Sequence, residues 1–470
     1  MSFNSLEFCL FLPVVLIIYY CLSYRAQNIF LILASYFFYG WWDWRFCSLL
    51  LFATLLNYFS ALAIAGNSSY RHLYLWINIC INLVILGFFK YYNFFVQSFV
   101  VVLSFVGINP HLPTLQIILP VGVSFYTFQM MGYTIDVFKG RISATHDFIT
   151  AAAFMSFFPQ LLAGPIERAK RMISQFQKPR IVDSQKIASG LLLILIGLFK
   201  KIAIADAVSP EVNNVFSHVT TTPWPELVGG LWLYTIQIYC DFSGYSDIAR
   251  GVGRLFGFEI MVNFNHPYFA TNIGAFWRRW HISLSTWLRD YLYIPLGGSR
   301  EGVFKTYRNL MITMVLCGLW HGANWTFVVW GALHGIYLCG YRLLSGGTKN
   351  TSRTLLAACA IKLCSIILTF NLVAFAWLFF RSPSLSGALF YLKGILLLEG
   401  TYQNYLFYFW RVAFYISLVL LVDIPQYLRN DHTVMLEWPW VLQGLIYGSM
   451  IILMILLAPS NEIPFIYFQF

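Results

Sequence analysis

From Asn309 to Tyr341 the chain reads NLMITMVLCGLWHGANWTFVVWGALHGIYLCGY, 33 residues without a charged side chain and with two histidines, His321 and His334. As one helix this run would extend ~50 Å at 1.5 Å per residue, against a hydrocarbon core of ~30 Å, so it must break. Gly318 and the segment Gly322–Asn324 place the break beside His321, at a helix junction deep in a bilayer. Ionisable side chains at that depth face a bundle interior or a water-filled cavity and are candidates for function. A neutral imidazole there can accept a proton. It can equally bond a neighbouring carbonyl and hold two helices together. His334, in GALHG, has no polar residue close by in sequence, and a packing role suits it better.

The surrounding chain has the same character. Of 470 residues, 59% are hydrophobic, 19% aromatic and 10% charged, and the mean hydropathy is +0.68. A soluble chain carries about 25% charged residues, so this composition cannot cover a soluble fold and reads as an all-α polytopic membrane bundle. The 30 basic against 19 acidic residues, a net +11, would suggest nucleic acid in a soluble protein. In a membrane protein, cytoplasmic loops account for it, and the expected partner is membrane lipid, with no nucleic acid. Nine cysteines fall almost all in apolar stretches without a C-x-x-C pair. They are expected to pack as small apolar residues, neither bridged nor binding metal.

Working outward, an apolar segment from Phe8 to Leu22 follows Glu7 with no positive residue ahead of it. That order is wrong for a cleaved signal peptide and fits a first membrane helix. Further candidate spans lie near 28–42, 47–65, 73–89, 92–107, 115–133, 148–164, 188–206, 226–240, 309–341 (long enough for two), 355–380, 405–423 and 440–458, giving ten to thirteen in all. Positive charge concentrates in Arg168, Lys170, Arg171, Lys178, Arg180 and Lys186, and again in Arg278, Arg279, Arg289, Arg300, Lys305 and Arg308. Both clusters are expected in the cytoplasm. The stretches 106–114, 207–225 and 455–470 carry no Lys or Arg and are candidates for the outer face, and Arg25 after the first span places the amino terminus outside. No repeat or long hydrophilic stretch is visible, so the expectation is one membrane-embedded domain over 1–470, with a motif-bearing core at about 115–345.

The least membrane-like part, 241–308, mixes charge, aromatics, Gly and Pro, as short interfacial or re-entrant helices do where protein or water satisfies the backbone. In Trp277-Arg278-Arg279-Trp280-His281 the tryptophans share a helical face, as do Arg278 and His281. This block either anchors at the interface or, with Arg278, Arg279 and Arg289, forms a rim attracting phosphate, to which guanidinium forks are suited. Asp241, Ser243 and Asp247 in DFSGYSD offer two carboxylates six apart that could bind a cation, but the expectation is that they cap a helix or pair with Arg250 or Arg254. Asp136 and Glu167 are expected to pair with local cations, and Gly164-Pro165 marks a re-entrant turn. No phosphate loop, H-E-x-x-H zinc helix or G-x-S-x-G elbow is present.

The blocks FWRRWHISLSTWLRDYLYIPLGGSR (276–300), GLWHGANWTFVVWGALHG (318–335), DFSGYSD (241–247), PQLLAGPIER (159–168) and ILPVGVSFYTFQ (118–129) resemble those of the membrane-bound O-acyltransferase superfamily, and within it the bacterial alginate O-acetyltransferase branch. The likeness runs from about residue 1 to 425. It implies a funnel-like fold, thin at its centre, with the catalytic His of the family falling on His321 and the second His of its pair on His281. It further implies a donor taken from the cytoplasm, with acetyl-CoA as substrate and no bound cofactor. The acceptor would lie outside a bacterial inner membrane, commonly on a periplasmic SGNH-type acetyltransferase that completes transfer to alginate, cellulose or another polysaccharide beside the polysaccharide synthesis machinery.

Read together, His321 is expected to act as the base and His281 as its companion. His281, or donors near Asn324, are candidates for orienting groups or stabilising an oxyanion, and Arg278, Arg279, Arg289, Trp320 and Asn324 are candidate donor-binding or tunnel residues. Two other readings compete: a transporter or flippase, in which Pro/Gly breaks and intramembrane His also occur, and a scaffold recruiting the true transferase.

Overall fold

The computed structural model describes residues 1–470 except 67–68, 109, 111, 181–182, 346–354, 401–404, 462 and 469–470. The described residues form helices and irregular segments without a strand. In a bilayer a helix satisfies its own backbone. Among the described residues, seven helices are long and apolar enough to cross a membrane: Phe46–Ala65, Arg71–Phe105, Ser184–Ser217, Trp325–Ser345, Ala357–Arg381, Tyr408–Arg429 and Trp440–Leu457.

The expected ten to thirteen spans differ from these: Tyr24–Asp43, Trp224–Leu255 and Val303–His321, which carry the expected 28–42, 226–240 and first half of 309–341, are helical but are not among the seven, and further segments depart as follows. The segments 73–89 and 92–107 are one helical run, Arg71–Phe105, with a π-helical turn at Gly87–Tyr91. The segment 115–133 is helical only from Val123, because Gly122 just ahead of it takes a left-handed φ of 77° that does not continue a right-handed helix. The segment 148–164 is broken into Phe148–Ser156 and Phe158–Leu161. Leu6–Tyr20 and Leu385–Leu396 are apolar but short. Apolar length shows where a chain tolerates lipid, not where its backbone bends. Positions 109, 111, 462, 469 and 470, within two of the stretches expected at the outer face, lie outside the described residues.

The chain divides into two compact units, across which the motif-bearing residues 115–345 are distributed. One comprises Met1–Gly190 and Val252–Met261, the other Leu191–Gly251 and Val262–Phe470. In the first, Asn57, Asn78, Asn82 and Thr134 are buried and bonded to one another, so the polar side chains of three apolar helices satisfy each other. Asp136 pairs with Arg141 at 3.0 Å, as expected of a local partner. Glu167 is buried and accepts a hydrogen bond from the Met261 backbone N–H.

In the second unit the DFSGYSD tract lies inside the 32-residue helix Trp224–Leu255, not past the end of a span. Gly244 does not end that helix. It lets the backbone approach that of Gly197, and a Cβ on either glycine would overlap the other's carbonyl oxygen. This contact brings the tract against Lys200 and Lys201, which sit in a π-helical turn, Phe199–Asp206. Asp241 pairs with Lys201 at 2.7 Å, and Asp247 with Lys200 at 3.1 Å and Arg250 at 3.0 Å. The expected ion pairing is thus present, though its main cations come from a neighbouring helix. From Asn263 to Tyr293 the chain is built of short pieces: Pro267–Phe269, Ile273–Trp277, Ile282–Leu288 and the π turn Arg289–Tyr293.

The uncharged run 309–341 lies in a helical hairpin, Val303–His321 and Trp325–Ser345. Its break is at Gly322–Asn324. Gly318, expected to share in the break, stays helical. It and Gly331 are the points of closest approach, where added Cβ atoms would overlap the carbonyls of Phe327 and Met314.

Candidate active site

His321 is the last residue of its helix, and Gly322, extended at φ −157°, turns the chain out of it. Asn324 accepts the Thr326 N–H at 3.0 Å and donates to the Pro383 carbonyl at 3.1 Å. Its side chain therefore caps the second helix and ties down the turn that presents His321. His281 precedes Ile282–Leu288 in a left-handed conformation, φ 43° and ψ 53°. That conformation is uncommon for a side chain with a Cβ and typical of functional sites.

The fold brings these two residues together. The imidazole centroids are 6.3 Å apart, and both side chains are buried. Trp320 lies 6.0 Å from His281. Trp330 and Phe380 pack on His321 at 5.0 and 5.3 Å, and Phe242 packs edge-on against His281 at 4.7 Å. The walls are aromatic, which excludes water and strengthens any electrostatic interaction inside. His281 lies outside the membrane-spanning helices, and burial alone pushes its pKa down to about 3, so the ring is neutral. Its Nδ1 is 3.2 Å from Asn263 Oδ1.

Other residues named from the sequence are placed elsewhere. Arg278 is exposed. The Arg279 guanidinium lies over Tyr427, 5.2 Å from the ring centroid, and Arg289 pairs with Asp290 at 2.8 Å. His334 is buried and accepts a hydrogen bond from Trp277 Nε1 at 3.3 Å, the packing role its sequence context suggested. Among the described residues no group of three or more His, Cys, Asp or Glu is placed to hold a metal.

Two contributors were not anticipated. Tyr467, in the turn Ile466–Phe468, lies 5.5 Å from His321 and 6.4 Å from His281 by ring centroids. Its segment is held where the Ile466 N–H donates to Asp241 at 2.7 Å and Lys201 donates to the Ile463 carbonyl at 3.3 Å. Asn263 is the other. The aromatic stretch PFIYFQF and the polar residues of NFNHPYF were the available signals, but nothing in their spacing points to His321.

A family model, "membrane-bound O-acyltransferase family", matches residues 137–379. The chain is 44% identical over 393 residues to "Probable alginate O-acetylase AlgI" of Pseudomonas aeruginosa, covering 83% of this chain and 73% of that one. It is 38% identical to the Pseudomonas putida protein of the same name, covering 100% of both. A "Peptidoglycan O-acetyltransferase" of Helicobacter pylori is 38% identical over 424 residues, covering 83% of this chain and 78% of that one. Likeness of this extent sets aside the transporter and scaffold readings. The matched region contains the buried His281–His321 pair, and the chain belongs to the membrane-bound O-acyltransferase family.

Proposed function

We propose that this chain is a membrane O-acetyltransferase that takes an acetyl group from acetyl-CoA at the cytoplasmic face and delivers it for O-acetylation of an extracytoplasmic polysaccharide, such as alginate or cellulose. The observation that carries this is the pair of buried imidazoles 6.3 Å apart at a helix break, in a chain of this family. The printed names of its relatives, alginate O-acetylases and a peptidoglycan O-acetyltransferase, support the acetyl group and an envelope polymer.

His321 takes the proton of an acceptor hydroxyl as its oxygen attacks the thioester carbonyl. The tetrahedral intermediate collapses, the C–S bond breaks, and the proton passes from His321 to the departing thiolate, leaving an O-acetyl ester and free CoA thiol. The basic residues Arg168, Lys170 and Arg171 and those of 278–308 attract the anionic donor. A periplasmic SGNH-type acetyltransferase receives the group, with the chain in a bacterial inner membrane and its amino terminus outside.

The test is release of CoA thiol from acetyl-CoA by the detergent-purified chain, alone and with a candidate periplasmic partner. His321→Ala is expected to lower turnover by at least about a hundredfold with an unchanged melting temperature. Turnover retained in that variant overturns the role of His321, and no wild-type turnover with the partner present overturns the transferase assignment to acetyl-CoA.

A further inference from the structure

Asn263 is buried among the residues that shape the site. Its side-chain oxygen meets three groups: Ser283 backbone N at 3.1 Å, Ser283 Oγ at 2.9 Å and His281 Nδ1 at 3.2 Å. Its own backbone carbonyl receives the Ile282 N–H at 2.9 Å, which holds it to the start of the short helix after His281. The amide nitrogen faces Ser246 Oγ at 3.4 Å.

The backbone N–H of Ser283 decides the chemistry. That group can only donate, so the Asn263 atom opposite it must be the oxygen, and the amide cannot be turned the other way. An amide oxygen can only accept. His281 Nδ1 lies 3.2 Å from that oxygen and 3.5 Å from Ser283 Oγ, whose hydroxyl proton is already given to the same Asn263 oxygen at 2.9 Å, so Nδ1 carries the proton. In a neutral imidazole one nitrogen donates and the other accepts, so Nε2 holds the lone pair.

We infer that Asn263 is a positioning residue that locks His281 in the Nδ1–H form, so that His281 enters acyl transfer through Nε2 as a hydrogen-bond acceptor and not as a donor to the oxyanion. Its catalytic part rests on the transferase reading above, whereas its tautomeric part does not. The hydroxyl being acylated, or a ring N–H of His321, is the class of group such a nitrogen receives. Donors to the oxyanion must then come from elsewhere.

The test has a spectroscopic and a kinetic arm. Full-length chain labelled with ring-15N histidine, with His281 assigned by difference from His281→Phe, is expected to show Nδ1 protonated and Nε2 unprotonated at pH 7. Asn263→Asp keeps the acceptor and adds a charge that raises the basicity of His281. It should retain the tautomer and move the acidic limb of the pH–rate profile up by about one unit or more. Asn263→Leu should mix the tautomers and lower turnover about tenfold or more. A purely structural asparagine would lower activity without moving the limb, and that result, or a protonated Nε2 in the wild type, overturns the inference. An Nδ1–H signal as expected in a chain that never turns over acetyl-CoA would leave the tautomer standing and sink the transferase reading instead.

Discussion

His266 and His281 both adopt left-handed backbone conformations, with φ of 49° and 43°. Each strained residue costs of order 1–3 kcal/mol and persists only where its surroundings over-determine it. For His281 the surroundings are Asn263 and the aromatic walls. For His266 they are Asp423, 3.6 Å from Nδ1, and the stacked ring of His432 at 5.1 Å. Tyr467 adds a phenol beside the two buried imidazoles of the candidate site, where a base can bond or activate a hydroxyl. Tyr467→Phe keeps the ring packing and removes only that hydroxyl, so acetyl-CoA turnover should fall at least about tenfold with an unchanged melting temperature. Wild-type turnover would show that the ring merely packs. Glu167 offers a test by pH. It lies outside the spanning helices, and burial, offset by Arg171 and by the Met261 and Arg168 N–H groups, raises its pKa to about 7, against about 4.3 in an unfolded chain. The folded state therefore holds the proton more tightly. That stability is complete below about pH 4.3 and is lost as pH rises through about 7. The melting temperature in detergent should fall between pH 5 and 8, and Glu167→Gln should flatten the slope.

At the scale of the element, the hairpin Val303–His321 and Trp325–Ser345 is set by glycines at its contact points. The backbones meet at Gly318 and Gly331 closely enough that neither position admits a Cβ without movement. Small residues at membrane helix contacts act in this way generally. Gly318→Leu should force the helices apart, displacing His321 three residues later. The expected cost is about 1–3 kcal/mol or more, read as a lowered melting temperature together with loss of turnover. A variant that melts and turns over like wild type would refute this account of the hairpin. The π-helical turn Phe199–Asp206 works similarly on charge, since it presents successive lysines to different carboxylates, Lys200 to Asp247 and Asp423 and Lys201 to Asp206 and Asp241.

At the scale of the whole molecule, the second unit is organised around that ionic cluster. Asp206, Asp241, Asp247 and Asp423 face Lys200, Lys201 and Arg250, and every one of these side chains is buried. The groups come from Ser184–Ser217, Trp224–Leu255 and Tyr405–Arg429, and the segment bearing Tyr467 is bonded to the same cluster. Removing one partner from a buried pair leaves an uncompensated charge and typically costs 3–5 kcal/mol. Lys200→Met should therefore lower the melting temperature sharply, and adding Asp423→Asn should recover part of the loss. Unchanged melting in the single variant would mean that water reaches the cluster. The outer surface has the opposite character: Leu445, Ile455 and Leu456 on Trp440–Leu457 are largely exposed, as a lipid-facing helix requires.

Class, membrane character and the position of the break beside His321 followed from the sequence alone, because each depends on a local quantity: charge per length, apolar run length or the placement of glycine. His281 and His321 could be paired only through family resemblance, since the 39 residues between them carry no geometric information about their approach. Asn263 and Tyr467 were not legible at all. Asn263 matters because a backbone N–H two residues beyond His281 fixes its amide, and Tyr467 because a carboxylate 226 positions earlier receives the N–H of Ile466. The same holds for Lys201 and Lys200, which pair with Asp241 and Asp247, whereas Arg250 was legible as a partner. Pairing in a low-dielectric interior is chosen by whichever partner the packed helices bring within reach, and only the tertiary structure decides that.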